Sequence, residues 1–573
     1  TKTLDVDGGT IKLDGNYPTG TGNVALGNTA LDSVEAGGTY NVALGDAAGT
    51  AITTGDGNVG VGADALLLNS SGGYNTALGT SSVRNNTTGN YNVGLGQGAL
   101  YSNTTASNNT AVGYQSAYNT TTAGNNVAFG DTALRTNTTG GNAVAIGARA
   151  LYSMTTANGN TAVGMSAAYY TTTGQYNTAL GRSALQSNTT GQVNTVIGYQ
   201  ALYSNTTASD NDAHGYRALY SNTTGTFNVG MGGQSLYDNT TGGNNAALGY
   251  SALANNTTAS NNTAVGYQSL TSNTTGTRNV GVGYNTLSLN TTANDNTSVG
   301  HDALDVNTTG ASNTALGSSA LGSNTTASNN TAVGYRAGFS ATTGGANSFF
   351  GRLAGYTSSG SAATHNTFIG DNAGYNVSTG SKNTILGRYN GNQGGLDIRT
   401  SSNNIVLSDG DGNPRIHNSS SGGSSFYSQS TGTISLINSV GAGTSTALLT
   451  GVYSGTNITG SGGTVSLRIW TNGNIQNTNN SYGALSDQKL KENIVDANSQ
   501  WDDIKALQVR NYNMIEGQTH TQIGVIAQEV ETVSAGLVYE TPDQDGGGND
   551  LGTVTKSVNY SILYMKAVKA LQE

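Results

Sequence analysis

The chain has 573 residues, of which 84 are glycine, 3 are proline and none is cysteine; only 9% are charged, and the net charge is −10. The missing cysteines exclude disulfides and thiolate metal sites, the acidic balance argues against nucleic-acid binding through counterion release, and no apolar run approaches the roughly 20 residues of a membrane-spanning helix. Low hydrophobicity with few charges would ordinarily indicate disorder or a linker, but glycine returns every 17 residues from Gly45 through Gly351, and a linker has no reason to hold a register.

Residues 1–22 form a lead-in without the character of a signal peptide. The absence of an initiator Met and an end inside an apparent helix point to a fragment or a processed product.

From 23 to 387 the repeat governs, with Gly27, Gly370 and Gly387 extending the series. A fixed short period is a repeat architecture. Abundant Gly, Asn and Thr weigh against helices, and β-branched residues cluster ahead of each glycine. The expectation is a mainly β chain whose shaft is a β-solenoid of about 22 turns, one per repeat. In the turn 262–278, residues 262–266 and 267–270 are expected as two short extended segments, with 271–278 returning the chain. Two apolar positions are expected to form the core: the residue before glycine (Leu78, Phe129, Ile146, Val265) and the residue four after it (Leu100, Leu134, Leu270). The Ala or Gly two before glycine indicates close approach of another backbone or subunit. The column Asn103, Asn137, Asn205, Asn273 suits an amide ladder. Ordering each residue costs about 1–2 kcal/mol, so one turn cannot stand alone, and the thin core favours several chains around one axis. The phrase Ala143, Val144, Ala145, Ile146, Gly147 resembles the head repeats of trimeric autotransporter adhesins, which implies a homotrimeric β-roll, although the period here is longer.

Several surface patterns compete for a role. Tyr114, Tyr199, Tyr216, Tyr250, Tyr267 and Tyr284 directly follow glycine, and a second tyrosine column lies five after it. Such ladders can stack on sugar rings, but covering inter-turn and inter-chain seams is the stronger reading. Repeated Asn-Thr-Thr matches the glycosylation sequon while sitting in a structural column. Threonines at regular spacing suit an ice surface, except that adjacent ones face opposite ways. The run Asp409, Gly410, Asp411, Gly412 is read as a turn rather than a calcium loop. No cofactor or metal is expected.

Residues 388–485 read as a β-rich neck, with strands at 433–437 and 464–470 and a hairpin turn at 471–474. Residues 486–573 hold seven Lys/Arg and thirteen Asp/Glu, the mark of a separate α+β domain. The phrase Ala484, Leu485, Ser486, Asp487, Gln488, Lys489, Leu490, Lys491, Glu492, Asn493, Ile494, then Tyr512, the stretch 523–530, and Val558, Asn559, Tyr560 leading into a helix at 561–573, resembles the C-terminal intramolecular chaperone of bacteriophage tail spikes, tail fibres and endosialidases. That self-cleaving domain implies a scissile bond between Leu485 and Ser486, with Ser486 as nucleophile and Lys491 as base. A serine hydroxyl needs such a base, and a lysine serves only when its pKa is lowered. Asp487 either orients the site or caps a helix over 489–494. His520 is read as a surface residue. The resemblance implies a homotrimeric virion tail fibre that meets a host cell-surface receptor such as a glycan and other tail proteins, without nucleic acid or membrane insertion. The alternative is a trimeric adhesin on a bacterial surface. A polysaccharide-cleaving shaft is disfavoured because acidic residues such as Asp131, Asp238 and Asp302 are too sporadic to pair.

Overall fold

The computed structural model describes residues 20–360, 362–426, 447–453, 464–470, 475–477, 494–513, 521–544 and 550–573. They fall in two units divided between Gln429 and Ser430.

In the first unit a three-residue strand recurs once per repeat, from β1 (Val24–Leu26) to β22 (Thr384–Leu386), each pairing in parallel with the next. Register follows the sequence period: Val280 lies beside Thr263 on one side and Thr297 on the other. The expected β-solenoid with its 17-residue repeat is therefore the observed architecture. The stack runs past Gly387. A small antiparallel excursion, β23 (Asn392–Gln393) with β24 (Leu396–Asp397), is followed by β25 (Ile405–Ser408), which pairs in parallel with β22. Then β26 (Pro414–Asn418) and β27 (Ser424–Phe426) add in antiparallel sense, so the last parallel strand is not left as an open edge.

The core differs from the expectation. Successive strand residues point to opposite faces, and the middle residue faces inward: Ala77, Ala111 and Ala264 are fully buried. The residue before glycine faces outward, leaving Leu78 48% and Phe129 56% exposed. Leu100, Leu134 and Leu270 are core, as expected. The inward strand residue is small because this leucine column already fills the narrow coil. A Cβ on Gly230, for example, would lie 3.3 Å from Leu219 Cγ. What approaches there is the chain's own side chain, not another subunit. Residues 267–270 are also not a strand; they form turns in which Gln268 and Leu270 take left-handed φ values of +52° and +53°. Each repeat needs its glycine for a steric reason. Gly266 has φ +125°, and a Cβ on it would sit 2.2 Å from the carbonyl oxygen of Gly283 in the next turn.

Near the end of the stack the size pattern inverts. In β20 (Ser348–Phe350) and β21 (Thr367–Ile369) the inward residues are Phe349 and Phe368, and the leucine position becomes Gly355 or Gly374. A Cβ on those glycines would lie 2.3 and 2.4 Å from the respective phenylalanine rings.

Polar ladders bind the turns together. In the expected asparagine column, Asn273 Nδ2 donates to Asn256 Oδ1 and to the Gly276 carbonyl, both at 2.9 Å. A second buried column opens each strand: Asn262 Oδ1 accepts from the Asn279 backbone N–H at 2.9 Å while its Nδ2 donates to the Gly276 carbonyl at 2.9 Å. The first threonine of each Thr-Thr pair forms a third, as where Thr274 Oγ1 donates to the Thr291 carbonyl at 3.1 Å. The second, such as Thr275, is exposed, so the outer threonines form a single file and not a two-dimensional array.

The second unit begins with antiparallel β28 (Ala447–Tyr453), β29 (Thr464–Trp470) and β30 (Ile475–Asn477). The strand expected at 464–470 is thus present, while 433–437 and the turn at 471–474 lie outside the described residues. There follow α1 (Trp501–Ala506), β31 (Arg510–Tyr512), β32 (Gln522–Gly524), α2 (Ala527–Val533), β33 (Val538–Gln544), β34 (Asp550–Val558) and α3 (Tyr560–Gln572). The last is the expected terminal helix, capped by Asn559, whose Oδ1 accepts from the Ile562 N–H at 3.3 Å.

Candidate functional site

Ion pairs and one glycine assemble the C-terminal segment. Lys566 on α3 donates to Asp503 on α1 at 2.8 Å, and this bond holds the Asp503 carboxyl below its ordinary range. Glu573 accepts from Ser499 Oγ at 2.6 Å and from the Gln500 N–H at 3.2 Å, tying the chain ahead of α1 to the end of α3. Arg510 on β31 pairs with Glu529 on α2 at 3.0 Å. Lys556 on β34 reaches Glu531 at 2.6 Å and Glu540 at 3.0 Å, and the two carboxylates, Glu531 first, raise its pKa. Tyr512, Gly524 and Tyr560, distant in sequence, meet: a Cβ on Gly524 would lie 3.1 Å from Tyr560 Oη and 3.2 Å from the Tyr512 ring. The interior is small. Ala527, Val530, Leu537 and Ala570 are buried, whereas Ile523 and Leu571 are 75% and 83% exposed.

Leu485, Ser486, Asp487, Lys491 and His520 lie outside the described residues. Ile494, the first described residue after Lys491, is not helical, so the helix anticipated over 489–494 does not reach it.

Comparison with known families decides what this segment resembles. Residues 486–539 match the chaperone of endosialidase, the Peptidase S74 family. The chaperone match begins at Ser486 and ends within β33, so it takes in Tyr512 and Gly524 but not Tyr560. It implies a self-cleaving, peptidase-like chaperone segment following a fibre-like solenoid. No curated protein and no solved structure matches the chain.

On the shaft, the tyrosines after glycine are exposed and stack on one another. Ring centroids lie 5.7 Å apart for Tyr199 and Tyr216, 5.8 Å for Tyr250 and Tyr267, and 5.3 Å for Tyr267 and Tyr284. Gly233 interrupts the run between Tyr216 and Tyr250, and Tyr114 stands at the same corner earlier in the stack. Within a run the facing sides of adjacent rings cover one another. The second column stacks likewise, Tyr203, Tyr220 and Tyr237 at 5.2 Å. Sequence reasoning missed a third corner, preceding the strand asparagine, where Tyr74 and Tyr91 stack at 5.2 Å. No residue type marks that corner in the sequence, since its left-handed φ recurs in residues as different as Tyr74, Asn261 and Arg278. The run 409–412 is a turn. Asp409 Oδ1 accepts from the Asn413 N–H at 2.9 Å, and Oδ2 accepts from Arg415 at 2.7 Å. Burial pushes this carboxyl up, but the bonds from Asn413 and Arg415 prevail and lower it.

Proposed function

We propose that the chain is a subunit of a homotrimeric bacteriophage tail fibre that contacts the host surface, and that its C-terminal segment aligns three chains and then cuts itself away at the Leu485–Ser486 bond. The observation that carries this reading is the chaperone match, which starts at Ser486, the residue that self-cleavage would leave as a new N-terminus. It follows a parallel stack of three-residue strands with no large interior of its own. The exposed apolar residues of the C-terminal segment, Ile523, Tyr564, Met565 and Leu571, give that segment a reason to associate.

In the proposed chemistry Lys491, neutral because a desolvated or cation-flanked amine loses its proton more readily, takes the proton of the Ser486 hydroxyl. The oxygen attacks the carbonyl carbon of Leu485, and the Ser486 amine departs with a proton. Water then hydrolyses the resulting ester and regenerates the hydroxyl. The test is a denaturing gel with N-terminal sequencing of the products. The parent chain should yield a fragment beginning at Ser486, while Ser486→Ala and Lys491→Ala should remain whole at 57.9 kDa. Undiminished cleavage of Ser486→Ala would remove that residue from the mechanism.

A further inference from the structure

The outward face of the solenoid sheet carries one continuous apolar column beside a column of small residues, many of them threonine, and a single rung with ionisable side chains. Of the two outward residues in each strand, the last is aliphatic or aromatic from Leu26 to Leu386 except at β12 (Asp212–His214), where it is His214. The first is Val, Thr, Ala or Ser in every strand from β1 to β22 except β12, where it is Asp212. Leu78, Phe129, Ile146, Ile197, Leu248 and Leu316 along this column are exposed. The flanking corners carry the tyrosines and the polar residues of the left-handed positions, so the strip has an apolar centre and a polar rim, the anatomy of an interface. Monomeric proteins rarely leave a contiguous apolar patch larger than a few hundred Å².

We propose that this face is the seam along which a second copy of the chain packs, parallel and in register, with Asp212 and His214 as its single ionisable level. The inference rests on the homotrimer proposed above and assigns the surface that forms it. Three features select a second copy as the occupant. The strip repeats every strand, about 4.8 Å, over some 100 Å, and an identical chain carries the same repeat over the same length. About 100 Å by one three-residue strand length of roughly 10 Å offers on the order of 1,000 Å² per chain, above the approximately 800 Å² per partner of a stable interface. The face also has two unlike columns, a smaller first residue and a larger last one, so the large column of one chain can lie against the small column of the next. A contact of that heterologous kind closes into a ring when each step turns by a third of a circle, as the proposed trimer requires. A lone ionisable level in such a seam fixes register, because a shift by one turn would part Asp212 of one chain from His214 of the next and set Asp212 against Ile197 or Met231.

The chain has no cysteine, so single cysteines report on the face directly. Leu248→Cys and Ile197→Cys place a thiol on the strip, and Thr258→Cys places one on the exposed threonine corner. Because all three positions are surface positions in one chain, none of the changes should prevent folding. In the full chain, sedimentation should show an oligomer for each variant. A maleimide polymer should label the Leu248→Cys and Ile197→Cys thiols at least tenfold more slowly than that of Thr258→Cys, and a short bismaleimide should join chains only through the first two. In a mixed assembly, Ile197→Cys chains should form disulfides with Thr195→Cys chains, at the same level of the opposite column, and not with Ala246→Cys chains, since a disulfide cannot span three turns. An oligomer in which the Leu248→Cys and Thr258→Cys thiols label equally fast would overturn the assigned face while leaving association intact. A single chain in sedimentation would defeat the association itself, and protection of the Leu248→Cys thiol in that single chain would show a different occupant.

Discussion

At the scale of the residue, the solenoid is held by side chains that act only as members of a column, so its weak points are the places where a column skips a member. Asn103 Oδ1 and Asn324 Oδ1 are buried without a partner. In each case the next turn lacks the asparagine that would donate to it, with Thr120 and Ala341 in its place. Thr120 Oγ1 is itself an orphan. An unmet buried polar group costs about 1–3 kcal/mol. Thr120→Asn should therefore raise stability by about 1–2 kcal/mol, read as a higher denaturation midpoint. A lower midpoint would show that the ladder tolerates gaps without cost.

At the scale of the element, each turn has room for one large inward side chain, and the chain keeps that total while exchanging its source. In most turns a leucine four after glycine meets a small strand residue; around β20 and β21 phenylalanine comes from the strand and meets glycine. Gly355 has φ +63° and Leu134 at the equivalent position has φ +55°, so the backbone accepts either residue. Gly355→Leu alone should clash with the Phe349 ring, and Phe349→Ala alone should leave a cavity costing about 3–5 kcal/mol. The double variant should recover most of both losses, a coupling that a double-mutant cycle measures; simple additivity would contradict the exchange. In the C-terminal segment, the Lys566 bond lowers the folded-state pKa of Asp503. The stability it contributes is present above the unfolded carboxyl pKa, about 3.9, and is lost as pH falls through the lower folded value. Trp501, at the start of α1, should report undocking by fluorescence only below that point. Lys566→Met should remove this acid transition, because Asp503 then loses the bond that lowers its folded-state pKa, whereas an unchanged transition would assign it to another group.

The period, the strand ladder, the leucine column and one asparagine column were legible in the sequence because strict spacing repeats each of them many times. The inward and outward faces of the strand were not. In a three-residue strand the middle position alone points in, and here it holds alanine while the larger Val, Leu and Ile stand outside, so reading burial from side-chain size inverted the face. The left-handed corners were equally hidden, since residues as unlike as Gln268, Leu270 and Arg278 take the same backbone conformation. At the candidate site, the motif pieces around Tyr512, Gly524 and Tyr560 were legible and the structure brings them together. The reason is a packing relation in which Gly524 makes room for two rings, and one-dimensional spacing does not display it.

At the scale of the whole molecule, a shaft whose turns are stable only when stacked is followed in the chain by a segment that resembles a chaperone. Starting such a stack requires ordering a first turn before any neighbour rewards it, and holding chains together raises their effective concentration for that step. Once the columns are complete, many bonds must break together, so dissociation should be slow whatever the equilibrium. The central claim is that the C-terminal segment is needed to start the shaft but not to keep it. The direct measurement is sedimentation of residues 1–485 made alone beside the same residues released by self-cleavage of the full chain. The account predicts monomers or aggregates for the first and stable trimers for the second; equally good trimers from both would show that the segment is dispensable and contradict it.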